Sequence, residues 1–434
     1  MRRSVQAARA WARARRTLVT LTLALLATLL APASAAAHAH LVSSTPAAGS
    51  TVATPPTSIE LTFSGTVTLG DDGVRVFAPS GAEVQSGPPN PHKGAKITQV
   101  LSATETGTYG VSYTVSSEDG HVIKESITFS VGSKGGDAAA DARKASEVPR
   151  SLQLTFSIAR FVEILALLVA AGGGIFACVI APGWRPRLVV AALLVLLGSQ
   201  AVSFIANGAI LTGSGFFESI SGEAIGATRD TPYGRSMLLR AIVAIVAIGP
   251  AVLLRSGVRV PDPARWMLAA VFGGLAASLS ITGHAVTTQP TWLRMPLDMV
   301  HVGAAAIWLG GLVQLAYLAP FAGTYVPQLA RFSRTAFASV VVILLTGTYA
   351  TFAELDSVGD LLDSTYGRLI LGKLVLYLGT MPLAWNNMSA FVPAIRRRPD
   401  DAPRMLRQYV ARELVLVVCV VALTVWLIAT PQPT

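Results

Sequence analysis

The feature that most constrains this chain is a series of eight apolar stretches, near 154–180, 188–211, 236–254, 266–283, 297–319, 335–353, 369–388 and 410–429. Each is about as long as a helix must be to cross a hydrocarbon core of roughly 30 Å. Residues 151–434 are therefore expected to form an all-α polytopic membrane domain with about eight transmembrane helices. With 52% hydrophobic and 13% charged residues, the composition is too apolar for an ordinary soluble protein of 434 residues. The bilayer is the natural solvent.

A net charge of +10 raises the question of nucleic acid. The arginines, however, cluster beside the apolar runs instead of alternating with aromatics on a polar face. Alternate connections carry Arg185 and Arg187, then Arg255, Arg259 and Arg265, then Arg331 and Arg334, then Arg396, Arg397, Arg398, Arg404, Arg407 and Arg412. The remaining connections hold Glu218, Glu223, Asp230, Glu354, Asp356, Asp360 and Asp363. This is the positive-inside asymmetry, so no nucleic-acid partner is expected. It predicts a multi-pass protein of the cell (plasma or inner) membrane, with the N-terminal region and the C-terminus both outside.

Residues 1–37 read as an export signal: arginines, an apolar run from Leu18 to Leu30, then small residues. Small-x-small frames end at Ala35 and at Ala37. Cleavage after Ala37 would make His38 the first residue and join an α-amine to an imidazole, while an earlier cut or an uncleaved anchor would not. Between residues 38 and 132, alternating runs recur between turns: Ile59, Leu61, Phe63; Val74, Val76; Val111, Tyr113, Val115; Ile127, Phe129, Val131. An all-β, Ig-like two-sheet sandwich is expected. The polar segment 133–150 reads as a tether. Cys178 and Cys419 lie in apolar runs, which leaves the exported domain without disulfide or thiolate ligand.

A metal held there must use nitrogen and oxygen. His38, His40 and His121 are the available imidazoles, and Asp119 stands two residues before His121 in a polar turn; His92 reads as a surface loop residue. Amine, imidazole and carboxylate make a donor set that favours tetragonal Cu(II) over tetrahedral zinc. Two other arrangements compete: a plain solvated hairpin, and a planar wrap in which amine, two amides and the His40 imidazole hold Cu(II) without the turn.

The run His38-Ala-His40-Leu-Val-Ser-Ser-Thr-Pro-Ala-Ala-Gly-Ser50, with Ser117-Glu-Asp119-Gly-His121 and the closing strand to Val131, resembles the CopC family of periplasmic copper-binding proteins. The resemblance implies a sandwich with one Cu(II) on His38, Asp119 and His121. Some family members add a Met-rich Cu(I) site, but residues 41–131 contain no Met. The exported domain is expected to hold Cu(II) alone.

Within the membrane part, His284 ends the fourth stretch and His301 begins the fifth, so both fall near the outer face. Asp298 lies one helical turn before His301, and Met295 and Met299 are nearby thioethers suited to Cu(I). Against a metal path stands a plainer reading, with His284 at the interface and Asp298 capping or pairing within its helix. Glu163, Arg240, Lys373, Asn386, Asn387 and Glu413 could line a path or pair between helices. Ser280-Ile-Thr-Gly-His284-Ala, Asp298-Met-Val-His301 continuing to Trp308-Leu-Gly-Gly311, Arg331-Phe-Ser-Arg334, and Tyr366-Gly-Arg-Leu-Ile-Leu-Gly-Lys373 are similar to the CopD copper-resistance membrane proteins.

The fused CopC–CopD arrangement implies capture of Cu(II) outside and passage to the membrane domain for import. No nucleotide-binding motif is present and no enzymatic activity is expected. Two rivals remain: a haem-binding redox protein using His284 and His301 as axial ligands, and a sensor or metallochaperone without translocation. An external copper chaperone or cuproenzyme is a candidate partner.

Overall fold

A computed structural model describes residues 39–69, 73–117, 122–281, 290–318, 325–354, 359–386, 389, 392–397 and 401–428. The export signal and the expected ligands His38, Asp119, His121 and His284 lie outside the described residues.

Seven strands come first: β1 (Leu41–Thr45), β2 (Thr51–Val52), β3 (Ser58–Thr68), β4 (Val74–Phe77), β5 (Lys93–Val100), β6 (Gly107–Ser117) and β7 (Val122–Val131). One layer is β5-β3-β1 and the other carries β4, β6, β7 and β2; all pairings are antiparallel except β2 with β7. The end of β3 joins the layers by pairing Val67 with Ser117 and Thr68 with Ser116. Alternation puts Ile59, Leu61, Phe63, Val111, Tyr113 and Val115 into the core between them. The alternating runs read from the sequence are therefore strands of a sandwich.

The segment read as a tether contains a helix, α1 (Ala138–Ser146). It docks through Ala138 and Ala142 against Phe77, its buried face being two alanines instead of a bulky apolar stripe. Gly110 on β6 makes the approach possible, since a Cβ there would stand 2.0 Å from the Ala138 carbonyl oxygen. Thus β6 is buried on both faces.

The helical part comprises α2 (Arg150–Ile175), α3 (Arg187–Thr212), α4 (Gly222–Asp230), α5 (Pro232–Ser256), α6 (Asp262–Ala277), α7 (Thr291–Leu318), α8 (Val326–Glu354), α9 (Thr365–Asn386) and α10 (Ala402–Ile428), with short helical segments Asp360–Asp363 and Val392–Arg397. The described residues of all eight expected apolar stretches are helical, the fourth ending in a 3-10 turn at Ser278–Ile281. Seven helical segments among the described residues are long and apolar enough to cross a membrane.

Lipid tails are as apolar as leucine, so helices here associate through close packing. The α2–α7 contact is backbone to backbone: a Cβ on Gly172 would lie 1.7 Å from the Ala306 carbonyl oxygen, and one on Gly310 would lie 2.6 Å from the Gly172 Cα. Gly172→Ala is expected to lower stability by about 1–3 kcal/mol through overpacking. Gly198→Ala, where a Cβ meets nothing within 4 Å, serves as the control. Thermal unfolding of the purified chain should separate the two, and equal midpoints would deny the close contact.

Candidate metal site

The flanks of the undescribed positions locate one end of the sandwich. Ala39 is buried in the core, with its Cβ 3.8 Å from the position a Cβ on Gly65 would take. Two residues further along β3, Val67 pairs with Ser117, which precedes residues 118–121, and Val122 resumes opposite Ser116. Ala39 and Ser117 are thus attached to the same stretch of β3, at positions two residues apart, or about 7 Å at the rise of a β-strand.

His40 is engaged differently. Its amide nitrogen donates to Ser64 Oγ at 3.0 Å, and its Nδ1 lies 3.1 Å from the same oxygen. The Ser64 amide in turn donates to the His40 carbonyl at 2.9 Å. The amide and ring nitrogens that a planar wrap would use are therefore turned to β3. Among the described residues, no three His, Cys, Asp or Glu side chains gather into a metal-sized group.

In the bundle, His301 is half-buried on α7, and its Nδ1 sits 2.8 Å from Thr346 Oγ1 on α8. The Thr346 hydroxyl donates to the Val342 carbonyl at 2.7 Å, a bond back along its own helix. With the hydroxyl proton on that carbonyl, Thr346 Oγ1 accepts and Nδ1 carries the ring hydrogen, the tautomer that this pair of contacts favours. The lone pair of the neutral imidazole is then on Nε2, which has no hydrogen-bond partner among the described residues. Gly347 leaves room for this ring, since a Cβ there would lie 3.4 Å from His301 Cε1. An orienting partner on one nitrogen and a free lone pair on the other is what a metal-binding histidine requires.

The other α7 candidates are placed by helix geometry. At about 100° per residue, Asp298 lies within about 60° of His301 around the axis, whereas Met295 and Met299 lie about 120° and 160° away. Asp298 shares the imidazole's face and the thioethers do not. Sequence reasoning missed Ser64, Thr346 and Gly347. A threonine inside an apolar helix is too common to flag, and only the α7–α8 contact gives it a role.

Of the other polar positions in the apolar runs, Glu163 and Arg240 pair. Both are fully buried, with Arg240 Nη1 donating to Glu163 Oε1 at 2.5 Å and Arg240 Nη2 donating to the Ser278 carbonyl at 3.3 Å. Arg160 Nη1 donates to the other oxygen of Glu163 at 3.1 Å. Where the sandwich meets the bundle, Arg75 and Lys124 face Lys144, Glu147 and Thr212 across a cleft. Burial, with Arg75 close by, lowers the Lys124 pKa.

A β-sandwich carried on a polytopic helical bundle defines a class of multi-pass membrane protein with an appended β-domain. Residues 41–132 match the CopC domain, residues 151–295 the copper resistance protein D-like N-terminal domain, and residues 326–427 copper resistance protein D. Copper transport protein CutJ of Bacillus subtilis is 24% identical over 80% of this chain and 67% of its own. Copper resistance protein D of Pseudomonas syringae pv. tomato is 29% identical over 56% of this chain and 83% of its own. Protein YobA of Escherichia coli K12 is 36% identical over 25% of this chain and 90% of its own. Among solved structures, CopC from Methylosinus trichosporium OB3b matches with 27% identity and a TM-score of 0.20, over 22% of this chain and 93% of that one. The chain belongs to the fused CopC–CopD copper-resistance family.

Proposed function

We propose that the protein captures Cu(II) outside the cell membrane and passes copper through its helical domain into the cell. The observation that carries this reading is that three copper-resistance domains lie in order on one chain, from residue 41 to residue 427. The names of the relatives, copper transport protein and copper resistance protein D, point the same way.

On this reading cleavage frees His38, and its amine and imidazole join Asp119 and His121 around one Cu(II). The convergence of the flanking strands supports this set, and the engagement of His40 with Ser64 argues against including His40. A nitrogen and carboxylate set suits the cupric ion. Inside the membrane, His284, Asp298 and His301 form the entry, with the His301 Nε2 lone pair as a ligand. Met295 and Met299, on other faces of α7, would serve Cu(I) at a separate step after reduction by an external donor. Joining captor and conduit in one chain makes the transfer intramolecular, at an effective concentration that free encounter would not give.

The test is copper accumulation in cells expressing the protein. His301→Ala and Thr346→Val are each expected to reduce accumulation at least several-fold, while Thr346→Ser retains it. Accumulation equal to wild type in His301→Ala would remove that residue from the path. A rise on deleting the whole protein would reverse the direction of transport.

A further inference from the structure

The mixed charges at the heart of the bundle do not balance. Arg160 and Arg240 both donate to the single carboxylate of Glu163, and no other acid forms an ion pair with either arginine among the described residues. One positive charge is left over, in a place where Glu163 and Arg240 are fully buried and Arg160 nearly so. The Arg160 guanidinium lies 5.0 Å above the Tyr233 ring, a contact that attracts the charge without neutralising it.

Three hydrogen-bond donors nearby have no partner among the described residues. They are Arg240 Nε, Gln200 Nε2 and the Ser203 hydroxyl, on residues that are all more than nine-tenths buried. Helix register places them within about 10 Å of one another along the helix axes. Antiparallel α2 and α3 touch at Gly173 against Val189 near one end and at Leu152 against Ala206 and Ala209 near the other. Gln200 and Ser203 therefore stand near the level of Arg160, with Glu163 about one turn further along α2. Phe156 meets Tyr233 at a ring separation of 6.1 Å, and seven residues further along each helix Glu163 meets Arg240.

We propose that this cluster is a binding site for a small monovalent anion, chloride or bromide, enclosed between α2, α3 and α5. A surplus of one charge calls for an ion of one charge, and unpaired N–H and O–H groups are the donors that a halide accepts from. Water could satisfy the donors but would leave the buried charge uncompensated. The site is separate from the metal candidates and contains none of their ligands.

The experiment is thermal unfolding of the purified full chain in lipid nanodiscs, titrating sodium chloride or bromide against sodium gluconate at constant ionic strength. The midpoint is expected to rise to a plateau with halide and to stay flat in gluconate. Arg160→Met leaves the neutral Arg240–Glu163 pair and should raise the half-saturating halide concentration at least tenfold. Gln200→Leu with Ser203→Ala, which changes no charge, should weaken the response as well, providing a reading if Arg160→Met does not fold. Identical melting in chloride and gluconate would overturn the proposal, as would halide titrations of both variants that coincide with wild type.

Discussion

His121→Ala is expected to weaken Cu(II) binding by on the order of a thousandfold, about 4 kcal/mol. The proposed set has few donors, and loss of one imidazole leaves amine, His38 imidazole and carboxylate to hold the ion. The measurement is competition for Cu(II) against chelators of graded affinity, using the full chain with its mature N-terminus sequenced. One extra residue ahead of His38 should have a comparable effect, because it turns the amine into an amide and moves the imidazole away from the terminus. His40→Ala is expected to stay within a few-fold of wild type, since its ring and amide nitrogens already meet Ser64. The opposite pattern, with His40→Ala abolishing binding and His121→Ala tolerated, would establish the planar wrap and remove the turn from the site.

The logic of that experiment also shows which parts of the molecule its sequence discloses. Alternation at Ile59, Leu61 and Phe63 exposes a strand because one face is core and the other is not. The strand β5 escapes notice because Lys93–Val100 buries only Ile97 and Gln99, and a buried glutamine breaks the apolar pattern. The helix α1 escapes for a related reason: two alanines suffice where a glycine faces them, so no hydrophobic period is written. Apolar length alone reveals the membrane helices. Pairing within the membrane is another matter, since Glu163 and Arg240 are 77 residues apart and meet only through the packing of α2 with its neighbours. The free Nε2 of His301 is likewise invisible in sequence, since it depends on where Thr346 sends its one proton.

Glu163→Ala is the substitution expected to damage the bundle most, by about 3–5 kcal/mol, because it leaves two buried guanidinium groups without their carboxylate. The damage comes from the charges left behind more than from the bond removed. Replacing all three residues, Glu163→Leu with Arg160→Met and Arg240→Met, should therefore recover most of the loss and fall within about 2 kcal/mol of wild type, since side chains of similar volume take charges and partners away together. Thermal unfolding in nanodiscs compares the single and triple variants directly. If the triple variant is as unstable as Glu163→Ala, the pair contributes to helix packing beyond its charge, through the Arg240 bond to the Ser278 carbonyl. That bond fixes the end of α6, next to the segment 282–289 that carries His284. Copper accumulation measured on the same variants then separates the two roles. A triple variant that folds but no longer accumulates copper would make the ion pair a support for the entry, and one that folds and accumulates normally would confine it to stability.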